Sequence, residues 1–164
     1  MKAFVDTNVL LYAYDNAAGA RHETARLLIR ALWQQGGAVL STQVLQEFYV
    51  NVTRRIPKPL SPVAARGILG GYCAWQVEHA SCETVLRASE MQERHQLAFR
   101  DALIVAAAVQ GGADMLLSGD LNAGQIIEGV RVVDPFDETD PTLHQLLGNG
   151  IAGGRAAYPE SPNT

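Results

Sequence analysis

The sequence predicts an α/β protein built on a mostly parallel, twisted sheet with helices on both faces. Three observations predict it. Apolar runs of three or four residues alternate with longer helical stretches along the whole chain. Strands separated by helices need crossover connections, and crossovers bury both faces of a parallel sheet. Hydrophobic residues make up 48% of the 164. That is enough for one domain with a real core, in a chain too short for two.

The elements follow in order. Ala3-Phe4-Val5 is a short apolar run ending at Asp6 and reads as a buried strand. Thr7-Asn8 can cap a helix from about Val9 to Tyr14. His22 to Gln35 carries Ala25, Leu28, Ile29 and Leu32 in a helical stripe, which Gly36-Gly37 ends. Ala38-Val39-Leu40 is the second strand, and Ser41 or Thr42 caps a helix running to about Arg55. Pro57 and Pro59 stop further helix. Ser61-Pro62 opens the next one, with proline just inside its start.

Ala74 to Val77 reads as a weaker strand, and Glu83 to His95 as an amphipathic helix. Arg100 to Gln110 is almost entirely apolar after Asp101, which predicts a buried helix closed by Gly111-Gly112. Met115-Leu116-Leu117 is a strand, Ser118 to Gly124 a loop, and Val130 to Val133 the last strand. After Phe136 the chain turns rich in Gly, Pro, Ala and Asn, with one brief helical turn possible at Leu143 to Leu147. The expected organisation is one domain over residues 1–136 and a tail over 137–164, largely flexible. There is no internal repeat.

Composition narrows the function classes. The formal net charge is −4, which argues against a protein that coats duplex nucleic acid by charge. If four of the 17 acids surround a cation, 13 remain against 13 Lys and Arg, and the rest of the surface is neutral. Cys73 and Cys82 form neither a CxxC nor a disulfide framework, which fits a reducing compartment. His22, His79, His95 and His144 are scattered, with no zinc-binding spacing. Lys2, an apolar stretch and Ala17-Ala18-Gly19-Ala20 loosely imitate a signal peptide. Asp6, Asn8 and Asp15 interrupt that stretch. No run approaches the ~20 apolar residues needed to span a bilayer. The expectation is a cytoplasmic protein with no membrane association.

The chemistry lies in four acids. In open α/β sheets, ligands bind beyond the carboxyl ends of the strands. Asp6 ends the first strand, and Asp120 follows Met115-Leu116-Leu117, so both face one crevice if those strands are neighbours. Hard cations such as Mg²⁺ take oxygen ligands, and such metals serve phosphodiester hydrolysis. Each acid also has an ordinary reading: Asp6 as a helix cap, Asp101 as a first-turn anion, Asp120 as a turn residue, Glu47 as a solvated helix residue. Two details weigh against these. Glu47 and Asn51, four apart, flank the apolar stripe Val44, Leu45, Phe48 and Val52 and so face the sheet edge, with Asn51 as a supporting residue beside Glu47. Asp101 leads a helix so apolar that the acid is drawn inward, where it needs a cation or several donors.

Four blocks of the chain resemble a known family. They are Phe4-Val5-Asp6-Thr7-Asn8-Val9-Leu10-Leu11-Tyr12, Gln43-Val44-Leu45-Gln46-Glu47-Phe48-Tyr49, Asp101-Ala102-Leu103-Ile104, and Leu117-Ser118-Gly119-Asp120-Leu121-Asn122 with Gly124-Gln125. In this order and spacing they look like the successive blocks of VapC-like PIN-domain toxins, over roughly residues 2 to 136. Val132-Val133-Asp134-Pro135-Phe136 resembles the end of that domain. The resemblance implies a three-layer α/β/α fold, Mg²⁺ or Mn²⁺ as cofactor, and an endoribonuclease acting on RNA. It places Asp6, Glu47, Asp101 and Asp120 at the metal as ligands and catalytic residues, with Thr7, Asn8 and Ser118 in support. It also implies a small cognate antitoxin as partner and a homodimer. The chain departs from the pattern twice. Gly119 stands where many relatives carry an acid, and Arg100 where many carry an aromatic residue. An arginine at that point can meet substrate phosphate or be a surface substitution.

Two other readings compete. A receiver domain or aspartyl-phosphate phosphatase also ends its first strand in Asp, but needs a late Lys. This chain has only Lys2 and Lys58, and Asp6-Thr7-Asn8 lacks a second Asp. The alternative that retains the fold is a catalytically silent PIN-like module that binds RNA or protein. Loss of one of the four acids would favour it, and all four are present.

Overall fold

The computed structural model describes residues 1–150. Six strands form one sheet: β1 (Ala3–Val5), β2 (Val39–Ser41), β3 (Gln76–Glu78), β4 (Met115–Leu117), β5 (Ile126–Ile127) and β6 (Val130–Val133). Their spatial order is β3-β2-β1-β4-β6-β5. All pairings are parallel except β5 with β6. The helices are α1 (Thr7–Tyr14), α2 (Ala20–Gln34), α3 (Thr42–Arg54), α4 (Pro62–Tyr72), α5 (Cys82–His95), α6 (Phe99–Gln110) and α7 (Pro141–Gly150), with a 3₁₀ turn at Asn16–Ala18.

The strand order fixes where the helices go. From β1 the chain steps outward to β2 and β3, then returns past β1 to β4. Right-handed crossovers in opposite directions put their helices on opposite faces. Helices α1 to α4 therefore cover one face, with α7 against α2, while α5 and α6 pack together on the other. The sheet between them is dry: Phe4, Val5, Leu40, Leu116, Leu117 and Val133 are fully buried. The chain reverses direction between β1 and β4, and the register Val5↔Leu117 aligns their carboxyl ends. This is the switch-point crevice where α/β sheets bind ligands.

Several local expectations need correction. Thr7 and Asn8 do not cap α1; both lie inside it. Asp6 is the cap, because it leaves the strand in extended backbone and its carboxylate accepts from Thr7 N. Ser41 and Ser61 cap α3 and α4, as read from the chain. β3 falls two residues later than Ala74. β5 is too short to show a period. It exists through a tight hairpin in which Glu128 and Gly129 have φ +50° and +87°, the left-handed pair that a two-residue turn demands.

The expected tail also begins differently. Residues 141–150 form α7, with Leu143 and Leu146 buried in the main core. Gly148 and Gly150 weaken its intrinsic helix propensity, and tertiary contact overrides that. Asp140 accepts from Thr142 N at 2.8 Å, Arg131 reaches Thr142 and Asp140, and Gln35 donates to the Leu146 carbonyl at 2.8 Å. The remainder of that tail, 151–164, lies outside the described residues. Among the described residues no helix is long and apolar enough to cross a membrane.

Truncating Leu146 tests the docking of α7. Leu146→Ala is expected to cost about 2–3 kcal/mol of unfolding free energy in a urea titration, the lower part of the range for a buried leucine. A change within about 0.5 kcal/mol would mean that α7 contributes no packing.

Candidate functional site

Asp6 is the innermost part of the site, 1% exposed. Its position follows from the fold: it is the single residue between β1 and α1, at the carboxyl end of a central strand. Both carboxylate oxygens are engaged. Oδ1 accepts from Thr7 N at 2.7 Å. Oδ2 accepts from Ser118 Oγ at 2.8 Å and Asn8 Nδ2 at 3.0 Å. Burial raises the Asp6 carboxyl above its ordinary value, and the Asp120 charge adds to this. The Ser118 and Thr7 hydrogen bonds and the Arg100 charge oppose it.

Asn8 joins the two strand ends. Its Nδ2 donates to Asp6 Oδ2 and to Asp120 Oδ2, each at 3.0 Å. The two carboxylates thus meet at one nitrogen. The Asn8 Oδ1 accepts from Gly119 N at 3.1 Å, and Ser118 Oγ accepts from Asp120 N at 3.2 Å. These bonds fold the loop after β4 back onto α1. A Cβ at Gly119 would come within 3.0 Å of the Phe136 ring. A side chain at this position would require the Phe136 ring to shift by a few tenths of an ångström.

Glu47 comes from the middle of α3. Its Oε2 accepts from Thr7 Oγ1 at 2.9 Å, and its Oε1 from Gln43 Nε2 at 3.1 Å. Arg100, from the first turn of α6, grips it with both faces of the fork, Nε to Oε1 at 3.0 Å and Nη2 to Oε2 at 2.6 Å. Burial alone would push the Glu47 carboxyl up. Hydrogen bonds from Arg100, Gln43 and Thr7, with the Arg100 charge, outweigh burial and hold it below the ordinary value. The same guanidinium donates to Asp101 Oδ1 at 3.1 Å and stands 3.9 Å from Asp6 Oδ1. Burial lowers the Arg100 pKa, but the Glu47 hydrogen bond and the charges of Glu47, Asp6 and Asp101 raise it further.

The structure thus brings together Asp6, Glu47, Asp101 and Asp120, with Thr7, Asn8 and Ser118 around them. Arg100, for which the sequence allows either a substrate contact or a surface place, sits among the acids. Asn51 stands where helical phase puts it. It lies on the same flank as Glu47, and its Nδ2 donates to the Glu47 carbonyl at 2.7 Å, within its own helix. It lines a groove of about 500 Å³ with Gln46, Glu47, Val50, Arg55 and Arg100. The sequence reading missed Gln43, which bonds both Glu47 and the Arg100 carbonyl. Its i, i+4 spacing from Glu47 was the available signal. No histidine among the described residues hydrogen-bonds any of the four acids. His22 meets the Tyr12 carbonyl and His95 meets Glu128.

The donor set suits a hard divalent cation: it is all oxygen, and one member is a buried carboxylate. The spacing is set by a guanidinium, however. Carboxylate oxygens stand 2.6–3.9 Å from Arg100 nitrogens, whereas Mg²⁺ takes ligands at about 2.0–2.1 Å. Among the described residues no three His, Cys, Asp or Glu side chains are drawn tightly enough together to hold an ion in this arrangement. The residues fit the ion in chemistry, and the positive charge that stands among them in this structure is the Arg100 guanidinium.

Ser118 is the shared support of the two strand-end acids. Ser118→Ala removes a donor to Asp6 and an acceptor for Asp120 N. It is expected to cost about 1–3 kcal/mol in urea unfolding, the range for a buried hydrogen bond to a charged group. No measurable loss would mean that water replaces the hydroxyl freely.

Comparison with known proteins agrees with this architecture. A family profile described as the PIN domain matches residues 3–127. Among curated proteins none matches. VapC20 from Mycobacterium tuberculosis, described as a sarcin-ricin loop-cleaving toxin, is 29% identical, with 73% of this chain and 92% of that chain covered and a TM-score of 0.56. A toxin–antitoxin complex from Klebsiella pneumoniae is 21% identical, with 82% and 98% covered and a TM-score of 0.61. DNA-bound VapBC from Salmonella typhimurium is 17% identical, with 82% and 98% covered and a TM-score of 0.56. The last two likenesses speak to the fold alone. The profile spans both strand-end acids, Glu47 and Asp101, and with the shared fold it places this chain in the PIN domain family, as a VapC-like member.

Proposed function

We propose that this chain is a metal-dependent endoribonuclease and the toxin of a toxin–antitoxin pair. The observation that carries the proposal is the meeting of Asp6, Glu47, Asp101 and Asp120 at the carboxyl edge of the sheet, beside an open groove. Asp6, Asp101, Asp120 and Glu47 would hold Mg²⁺ or Mn²⁺. Bound there, the ion supplies activation of water and neutralisation of phosphate charge.

The remaining tasks fall to this chain's own residues. Asn8 and Ser118 keep Asp6 and Asp120 facing one another, and Thr7 and Gln43 orient Glu47. Arg55 and Arg100 line the groove and offer guanidinium groups to an RNA backbone. The groove suits a single strand, because a chain of net charge −4 cannot grip a duplex by charge alone. The metal would activate water, which makes water rather than the 2′-hydroxyl the nucleophile, and no histidine among the described residues hydrogen-bonds the four acids. The products are then a 5′-phosphate and a 3′-hydroxyl. The reading extends to partners: a cognate antitoxin, as in the VapBC structures, and a second copy of this chain. Exposed Val50, Val63 and Phe99 on α3, α4 and α6 supply apolar surface for such contacts.

Two measurements test the proposal. Incubated with structured RNA and Mg²⁺, the protein is expected to cut unpaired regions, leaving 5′-phosphate ends. Cleavage should stop with EDTA or Asp101→Ala and persist in His95→Ala. A 2′,3′-cyclic phosphate, or cutting that survives EDTA, contradicts the mechanism. RNA binding without any cleavage favours the silent module.

In a melting experiment, metal at a hundredfold its Kd adds about 2.7 kcal/mol to the folded state. For a chain of this size that is on the order of 5–10 °C. Asp120→Asn is expected to remove most of that shift. An equal shift in the variant places the metal elsewhere.

A further inference from the structure

We infer that Arg100 and the divalent metal are alternative occupants of the acidic site. The guanidinium holds the acids together in the metal-free protein, and metal uptake releases it toward the substrate phosphate. The inference rests on the metal-dependent reading above.

Arg100 makes every kind of contact a bound cation would make. Its Nε, Nη1 and Nη2 are all committed to carboxylates: two bonds to Glu47, one to Asp101, and an ion pair with Asp6. A divalent ion taken up by Glu47 and Asp101 would have to sit where these N–H groups now point. The two positive charges would then share the same oxygens at contact distance. Both cannot keep them, because each carboxylate lone pair serves one cation at a time and the cations repel.

The structure also shows which partner gives way. Asp6 is buried and tied by three hydrogen bonds, and Asp120 is held through Asn8 and Ser118. The Arg100 backbone is tethered, since its carbonyl accepts from Gln43 Nε2. Its side chain is 43% exposed and borders the groove it shares with Arg55. Glu47 is likewise held by Thr7 Oγ1 and Gln43 Nε2, so Asp6, Asp120 and Glu47 are the fixed wall and the guanidinium is the movable group, with open space beside it. Moved outward, it stays within the same groove and faces the path of a phosphate backbone. One arginine then does two jobs in sequence: counter-charge before metal binds, phosphate ligand afterwards.

This arrangement lowers the apparent metal affinity by the share of molecules in which Arg100 holds the acids. Removing the guanidinium should therefore tighten metal binding. A residue that merely supports a metal site would have the opposite effect.

The test is titration calorimetry of the substrate-free chain with Mn²⁺ alone, comparing wild type, Arg100→Gln and Arg100→Ala at fixed pH and ionic strength. Arg100→Gln keeps the stem and guards against loss of folding in the alanine variant. The expected result is a Kd about tenfold lower in both variants than in wild type. Unchanged or weaker Mn²⁺ binding in a folded Arg100→Gln, with wild type binding normally, overturns the inference and leaves the metal reading standing. Absence of Mn²⁺ binding in all three overturns both. At saturating Mn²⁺, Arg100→Gln should raise KM for RNA about tenfold and change kcat by no more than about threefold. A fall in kcat at constant KM overturns the transfer of Arg100 to phosphate.

Discussion

Everything in the crevice depends on one constraint: a carboxylate fixed at the least solvated end of the central strand. Asp6 has almost no water to share its charge with, so every neighbour is chosen to answer it. Thr7 N, Asn8 and Ser118 give it three donors. Those donors in turn position the loop after β4 and bring Asp120 to the same amide nitrogen. The parallel register of β1 and β4 makes this possible, because it aligns their carboxyl ends side by side. Crowding four acids around such a point is unfavourable without positive charge. Arg100 supplies that charge from a third element, the first turn of α6.

The helices outside the crevice serve this arrangement at a distance. α3 presents Glu47 because Ser41 caps it at the end of β2, one strand away from Asp6. α6 begins at Ala98, which offers no side-chain cap, and Asp101 in its first turn complements the exposed N–H groups there. The acid thus serves its helix and the site together. Gly119 belongs to the same economy of space, since the Phe136 ring, itself edge-on to Tyr12, occupies the volume a side chain would need.

The chain made much of this legible, for physical reasons that can be named. Asp6 and Asp120 were found because the end of an apolar strand is visible in sequence and its direction relative to the sheet edge is fixed. Glu47 was found because helical phase sets it beside an apolar stripe. The same phase sets Asn51 on the flank of Glu47, where its amide reaches the Glu47 carbonyl one turn back in the same helix. The position of Arg100 depends on how α6 meets α3, a tertiary fact with no local signature. β5 was invisible because two residues carry no periodicity. Helix α7 reads in sequence only as a brief turn at Leu143 to Leu147 because glycines weaken its propensity, while its packing against α2, over a hundred residues earlier, has no local signature. The mostly parallel sheet covered on both faces, by contrast, followed from the alternation of strands and helices alone.

The proposal at the centre of this account is that the four acids form one cation site, in which Arg100 now contacts Asp6, Glu47 and Asp101. An anomalous-difference map from crystals soaked in Mn²⁺ tests it most directly. The account predicts a peak within about 2.0–2.3 Å of carboxylate oxygens from Asp6 and at least one other of the four acids, with the Arg100 guanidinium withdrawn into the groove. A peak elsewhere on the molecule, or one at the acids with Arg100 still bonded to Glu47 and Asp101, would contradict it.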